Sequence, residues 1–140
     1  MSAPLSIRFD AGVLARLRRR VSASPGATVS GLAQRLVDEG LRMAEHPGIV
    51  FQNGPSGPRA TITFGPDVWE LVKVVREIDE RGETAVEAAA ELLNLSPAKV
   101  RLGLDYYSAY PDEIDAEIAE ADRASVLAEE AWISRQRLLT

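Results

Sequence analysis

Leu5-Ser6-Ile7-Arg8-Phe9 is the segment that most constrains what this chain can become. Apolar and polar residues alternate through it, the period-2 signature of a half-buried strand. Leu5, Ile7 and Phe9 fall on one face, and Ser6 and Arg8 on the other. A lone strand of this length cannot satisfy its own backbone hydrogen bonds. The pattern that follows it directly is helical, so no strand lies beside it in the first module. The simplest partner is the same strand from a second copy, giving a two-stranded antiparallel ribbon and predicting a homodimer.

Asp10 supplies a side-chain oxygen where a helix would begin. Val13, Leu14, Leu17 and Val21 then recur at helical spacing, with Arg18-Arg19-Arg20 near the end, where cations complement the macrodipole. Ser24-Pro25-Gly26 breaks the chain. Thr28 or Ser30 is placed to cap a second helix with Leu32, Leu36, Val37 and Leu41 on one stripe, and Gly40 suggests a close helix approach. Charge follows the same division. Residues 1–44 carry seven arginines against three carboxylates, a net +4, while the rest of the chain is −9, for −5 overall. Such asymmetry suits a basic module for a polyanion joined to an acidic module for something else.

Strand, capped helix, turn and capped helix over residues 4–44 resemble the ribbon-helix-helix family, the DNA-binding half of many bacterial antitoxins and repressors. The resemblance implies a ribbon lying in the major groove of operator DNA. Its outward positions are Pro4, Ser6 and Arg8. Arg8 is the expected base reader, because a guanidinium can bond a guanine edge bidentately. Ser6 suits a base or a phosphate, and the amides of Val29, Ser30 and Gly31 at the second helix start suit a phosphate.

His46-Pro47-Gly48 reads as a break, so residues 1–45 and 46–140 are expected to form separate modules. Ile49-Val50-Phe51, a turn-rich Gln52 to Pro58 and Ala60-Thr61-Ile62-Thr63-Phe64 read as a hairpin, with Ala60, Ile62 and Phe64 facing one way. The glycines there lack the Gly-Lys-Ser/Thr ending of a phosphate loop. Gly65-Pro66-Asp67 starts a helix with Val68, Leu71, Val72, Val75 and Ile78 inward, and Gly82 is expected to end it. Thr84 and Glu87 suggest a capping box for an alanine-rich helix through Leu93. Asn94-Leu95 turns, and Ser96-Pro97 opens another helix through Val100, Leu104 and Tyr107. Two short helices joined this tightly form a helix-turn-helix-like pair. Lys99 and Arg101 are its only cations suited to DNA, and neighbouring carboxylates oppose phosphate, so protein contact is the expected role.

Gly57-Pro58-Arg59, Gly65-Pro66-Asp67-Val68-Trp69 and the helix pair from Val86 resemble a small bacterial domain of unassigned function, often encoded beside PIN-type ribonuclease toxins. Pro58 and the long turn depart from that pattern. Together the two halves resemble a VapB-type antitoxin. The overall expectation is a mainly α chain: ribbon-helix-helix (β-α-α), then a hairpin with a helix-turn-helix-like bundle, then a C-terminal helix.

Pro111 stops one helix, and Asp112, Glu113, Asp115, Glu117, Glu120 and Asp122 crowd the next, with Ile114, Ile118 and Ala121 apolar. Beyond Arg123, the residues Trp132, Arg135 and Arg137 are candidate toxin contacts. Trp132 would anchor, and an arginine would plug a carboxylate-lined active site. The other reading has Trp132 packing on its own domain and the last residues fraying.

Composition removes several chemistries. There is no cysteine for a disulfide, a thiolate metal site or a thiol nucleophile, and His46 is the only histidine. No cofactor or metal is expected, no apolar run approaches a membrane span, and the N-terminus lacks signal-peptide character, so the cytoplasm is the expected location. Glu70, Glu77, Asp79 and Glu80 read as a solvated face rather than catalytic carboxylates, so no enzymatic activity is expected. Two alternatives to the antitoxin remain open: a stand-alone repressor, and a dimeric adaptor that does not bind DNA.

Overall fold

A computed structural model describes residues 3–54 and 56–140; Met1, Ser2 and Pro55 lie outside them. The chain divides into two compact units, Met1–Glu45 and His46–Thr140. The elements are α1 (Ala11–Ser22), α2 (Val29–Glu45), β1 (Ile49–Gly54), β2 (Gly57–Ile62), α3 (Val68–Glu77), α4 (Glu83–Leu93), α5 (Pro97–Ala109) and α6 (Pro111–Leu139). The molecule is mainly helical, with one small antiparallel hairpin. No helix among the described residues is long and apolar enough to cross a membrane.

The first unit begins with a helix, not a strand. Residues 3–10 carry no strand hydrogen bonding, and Leu5 and Ile7 are 82% and 60% exposed. The physical reason is that the first unit holds no second strand among its described residues for this segment to pair with. The two helices do form from local signals. The Asp10 carboxylate accepts from Val13 N at 3.0 Å to start α1, and Gly26 at φ 79° turns the chain toward α2. Thr28, rather than Ser30, caps α2, its hydroxyl accepting from Gly31 N at 3.0 Å. Within the chain, a Cβ added at Gly40 would meet nothing, so no close helix approach accounts for that glycine.

In the second unit β1 and β2 pair from Ile49↔Ile62 to Gly54↔Gly57. The strands therefore run further into the turn than the sequence suggests, and β2 stops before Phe64. Asp67 opens α3, with the Glu70 carboxylate accepting from Asp67 N at 3.3 Å. Helix α3 ends at Glu77 rather than near Gly82. Arg81 curls back and donates to the carbonyls of Ile78, Asp79 and Glu80. Gly82, at φ 63°, instead becomes the N-cap of α4, which puts Thr84 inside the helix and removes its capping role. Asn94, in the left-handed region, closes α4, and the Ser96 hydroxyl accepts from Lys99 N to open α5.

These elements enclose one core: Ile49, Ala60, Ile62, Val68, Leu71, Val72, Val86, Ala89, Ala90, Val100, Tyr106, Ile114 and Ile118. Fully burying each large side chain contributes about 1.5–3 kcal/mol before chain entropy is set against it. Gly103 lets α5 approach α3, since a Cβ there would lie 2.2 Å from Leu71 Cδ2. Tyr106 is fully buried among rings, with His46 edge-on at 5.3 Å and Tyr110 at 4.8 Å.

Helix α6 is continuous, so the acidic segment and the residues beyond Arg123 form one helix rather than a helix and a tail. After Pro111 it contains no glycine or proline, and alanine, glutamate, leucine and arginine sustain it.

Candidate functional site

In the first unit Leu17 is the only buried residue among those described, while Leu5, Ile7, Val13, Leu36, Val37, Leu41 and Met43 remain exposed. Residues Leu5, Ile7 and Phe9 border an open groove of about 850 Å³ whose other wall is Val29, Ala33 and Val37 of α2. Of the candidate DNA contacts, Pro4, Ser6 and Arg8 are all exposed. The second-helix set is smaller than the sequence suggests. The Gly31 amide is occupied by Thr28 and the Leu32 amide by the Thr28 carbonyl, leaving the amides of Val29 and Ser30 as first-turn donors.

The second unit places its polar groups between the hairpin, α3 and α6. Thr61 is buried and donates to Asp67 Oδ1 at 2.8 Å, and Trp69 Nε1 donates to Asp67 Oδ2 at 3.1 Å. Arg76 and the Tyr107 hydroxyl both donate to Asp115 and hold its carboxyl below the ordinary range. Lys73 pairs with Asp122 at 2.6 Å, and its own pKa is raised by that contact. These bonds fasten the first half of α6 to the bundle.

Glu117 was not marked out by the sequence. Burial, with repulsion from Glu113, Asp67 and Glu120, pushes its carboxyl up to about 7 against the opposing pull of Arg59. Its Oε2 is enclosed without a hydrogen-bond partner. Glu113, Glu117 and Glu120 recur at helical spacing, a signal visible in sequence, but their facing Arg59 and Asp67 across the fold is not. Among the described residues no carboxylate group is arranged to hold a metal ion.

The helix-turn-helix-like pair is α4, Asn94-Leu95 and α5. Of its two cations, Arg101 is paired with Glu83 and Lys99 donates to the Thr63 carbonyl at 3.1 Å. Both are engaged within the chain.

Past Asp122 every residue of α6 is exposed. Trp132 is 54% exposed and does not pack on the domain, and the last residues are helical rather than frayed. Trp132 and Arg135, three apart, share a helix face. Arg137, two beyond Arg135, projects to the opposite side. Leu139 shares the Trp132 face, while the exposed Val126, Leu127, Ile133 and Leu138 turn toward the other side of the helix, where Arg137 lies; this arrangement was missed because the segment did not read as one helix.

No protein-family model, curated protein or solved structure matches the chain.

Proposed function

We propose that this chain is an antitoxin of a type II toxin–antitoxin pair. Its first unit dimerises as a ribbon-helix-helix module and represses from operator DNA. The exposed half of α6 neutralises a PIN-type ribonuclease toxin.

One observation carries the reading: the first unit, Met1–Glu45, buries only Leu17 among its described residues, yet leaves Leu5, Ile7, Val13, Leu36, Val37, Leu41 and Met43 exposed. A unit this small rarely stands without oligomerisation, and this one lacks a core altogether. A second copy supplies the missing half. Pairing residues 5–9 across a two-fold axis turns Leu5, Ile7 and Phe9 onto both helix pairs and leaves Ser6 and Arg8 outward. Arg8 then reads a base edge, Ser6 supports it, and the Val29 and Ser30 amides hold a phosphate. The local excess of arginine supports the polyanion.

For the toxin, an unpacked helix with exposed apolar side chains and arginines beside them fits an apolar groove with a carboxylate at its floor. Trp132 and Arg135 are the contacts on one side of the helix, and Arg137, beside Val126 and Ile133, is the contact on the other. Lys99 and Arg101, already engaged, add nothing to DNA binding.

Fluorescence anisotropy on the DNA upstream of its own gene, at two salt concentrations, tests the DNA half. Wild type binds that duplex in preference to random DNA and weakens with salt. Arg8→Ala loses that preference, a discrimination of about 1–3 kcal/mol per base pair read. Equal binding by Arg8→Ala removes the ribbon as reader. Co-purification with the product of the adjacent gene, lost in Trp132→Ala, tests the toxin half.

A further inference from the structure

Two non-glycine residues among those described have left-handed backbone, Phe64 at φ 57° and Asn94 at φ 53°, and both line the same groove. Asn94 has a local reason, since it caps the C-terminus of α4 and asparagine tolerates that conformation. Phe64 has none. A bulky residue is strained there, and its ring is 96% exposed, so packing within the chain does not compensate. The turn that presents it is nevertheless tied down. Gly65 N donates to the Ile62 carbonyl at 2.8 Å, Thr63 N donates to the Gly48 carbonyl at 2.9 Å, and Lys99 Nζ donates to the Thr63 carbonyl at 3.1 Å. The same ammonium lies 5.9 Å from the Phe64 ring centroid. Beside the ring opens a groove of about 620 Å³ walled by Val50, Pro66, Leu93 and Leu95 together with the polar Gln52 and Asn94.

We propose that this patch is a two-fold contact with a second copy of the chain, in which Phe64 of each copy seats in the groove of the other. An isologous contact requires one surface to complement itself, and a projecting ring next to a recess of mixed apolar and polar lining meets that requirement. Charge agrees. The groove wall includes the C-terminal end of α4, the negative end of its dipole, and each ring arrives accompanied by Lys99. A polyanion is the poorer occupant, because residues 45–140 hold eighteen carboxylates against nine cations. The patch is small beside the roughly 1,000 Å² of a stable interface. Its strength therefore rests on the first-unit dimer proposed above, which would hold the two copies at high effective concentration.

Sedimentation equilibrium of the full chain, with Phe64→Gly and Ile7→Lys, tests this. Phe64→Gly is expected to weaken self-association about tenfold. It should also raise resistance to urea of the second unit, measured at one low concentration, because glycine relieves the strained backbone. A residue that only supported the fold would lose stability on the same substitution. Unchanged association in Phe64→Gly overturns the contact, even if Ile7→Lys abolishes the dimer and so upholds the ribbon. If Ile7→Lys dimerises like wild type, the ribbon fails, and the groove contact that rests on it is overturned as proposed. A wild-type chain that stays monomeric overturns both.

Discussion

The two units of this chain are built from the same kinds of residue and solve the problem of burial in opposite ways. The second unit encloses thirteen core residues from its hairpin and helices α3 to α6. The first unit has comparable stripes of leucine, isoleucine and valine but leaves them on the surface, with Leu17 alone buried among the described residues. The difference lies in what each sequence can reach within one chain. A hairpin brings its own second strand, and four helices can close over it. A single alternating segment followed by two helices has one face of a ribbon and half of a core. Amphipathic pattern therefore states which face must be covered, and topology decides whether the same chain covers it.

The largest effect is expected from Ile7→Lys. A charge on the ribbon's inward face should abolish dimerisation and melt α1 and α2, seen as lost helical circular dichroism, while the second unit's urea transition stays in place. Leu71→Ala should do the converse. It opens a cavity against Gly103 and lowers the second unit's stability by about 2–5 kcal/mol, independent of protein concentration. A Leu71→Ala effect that depended on concentration, or an Ile7→Lys effect that did not, would break the contrast between the units.

Smaller effects sharpen it. The Glu117 carboxyl is raised from 4.5 to about 7, so the folded chain retains a proton through that window while the unfolded chain has lost it. Stability of the second unit should thus fall as pH rises from 4.5 to 7. Glu117→Gln should flatten that slope and stabilise the unit at pH 8 by about 1 kcal/mol, discounted for a half-exposed group. Chemical denaturation at several pH values reads this directly. Thr28→Ala removes the α2 cap and should cost about 1 kcal/mol, confined to the first unit's transition.

What was legible in the sequence was local. Asp10 and Ser96 announce their helices because a cap and its amide lie three residues apart, and the alanine-rich α4 and the hairpin at Ile49 are visible for similar reasons. What was not legible shares a cause too. Residues 5–9 alternate like a strand, but alternation reports a face and not the presence of a partner, and in the single chain they are unpaired. Phe64 continued the alternation of β2 in sequence, but the Thr63-Phe64-Gly65 turn carries it outward. Gly82 carries left-handed backbone equally well after a helix or before one, and only the Arg81 contacts show which. The roles of Glu117, of the Gly31 amide and of the continuous α6 helix depend on neighbours or continuity that composition does not reveal.

Hydrogen–deuterium exchange at Leu5 to Phe9, measured at high and low protein concentration, tests the central claim most directly. The account predicts slow exchange of alternate amides at high concentration, where a ribbon forms, with protection lost on dilution. Exchange at the rate of an unstructured peptide at every concentration would contradict it, and the first unit would then have no ribbon.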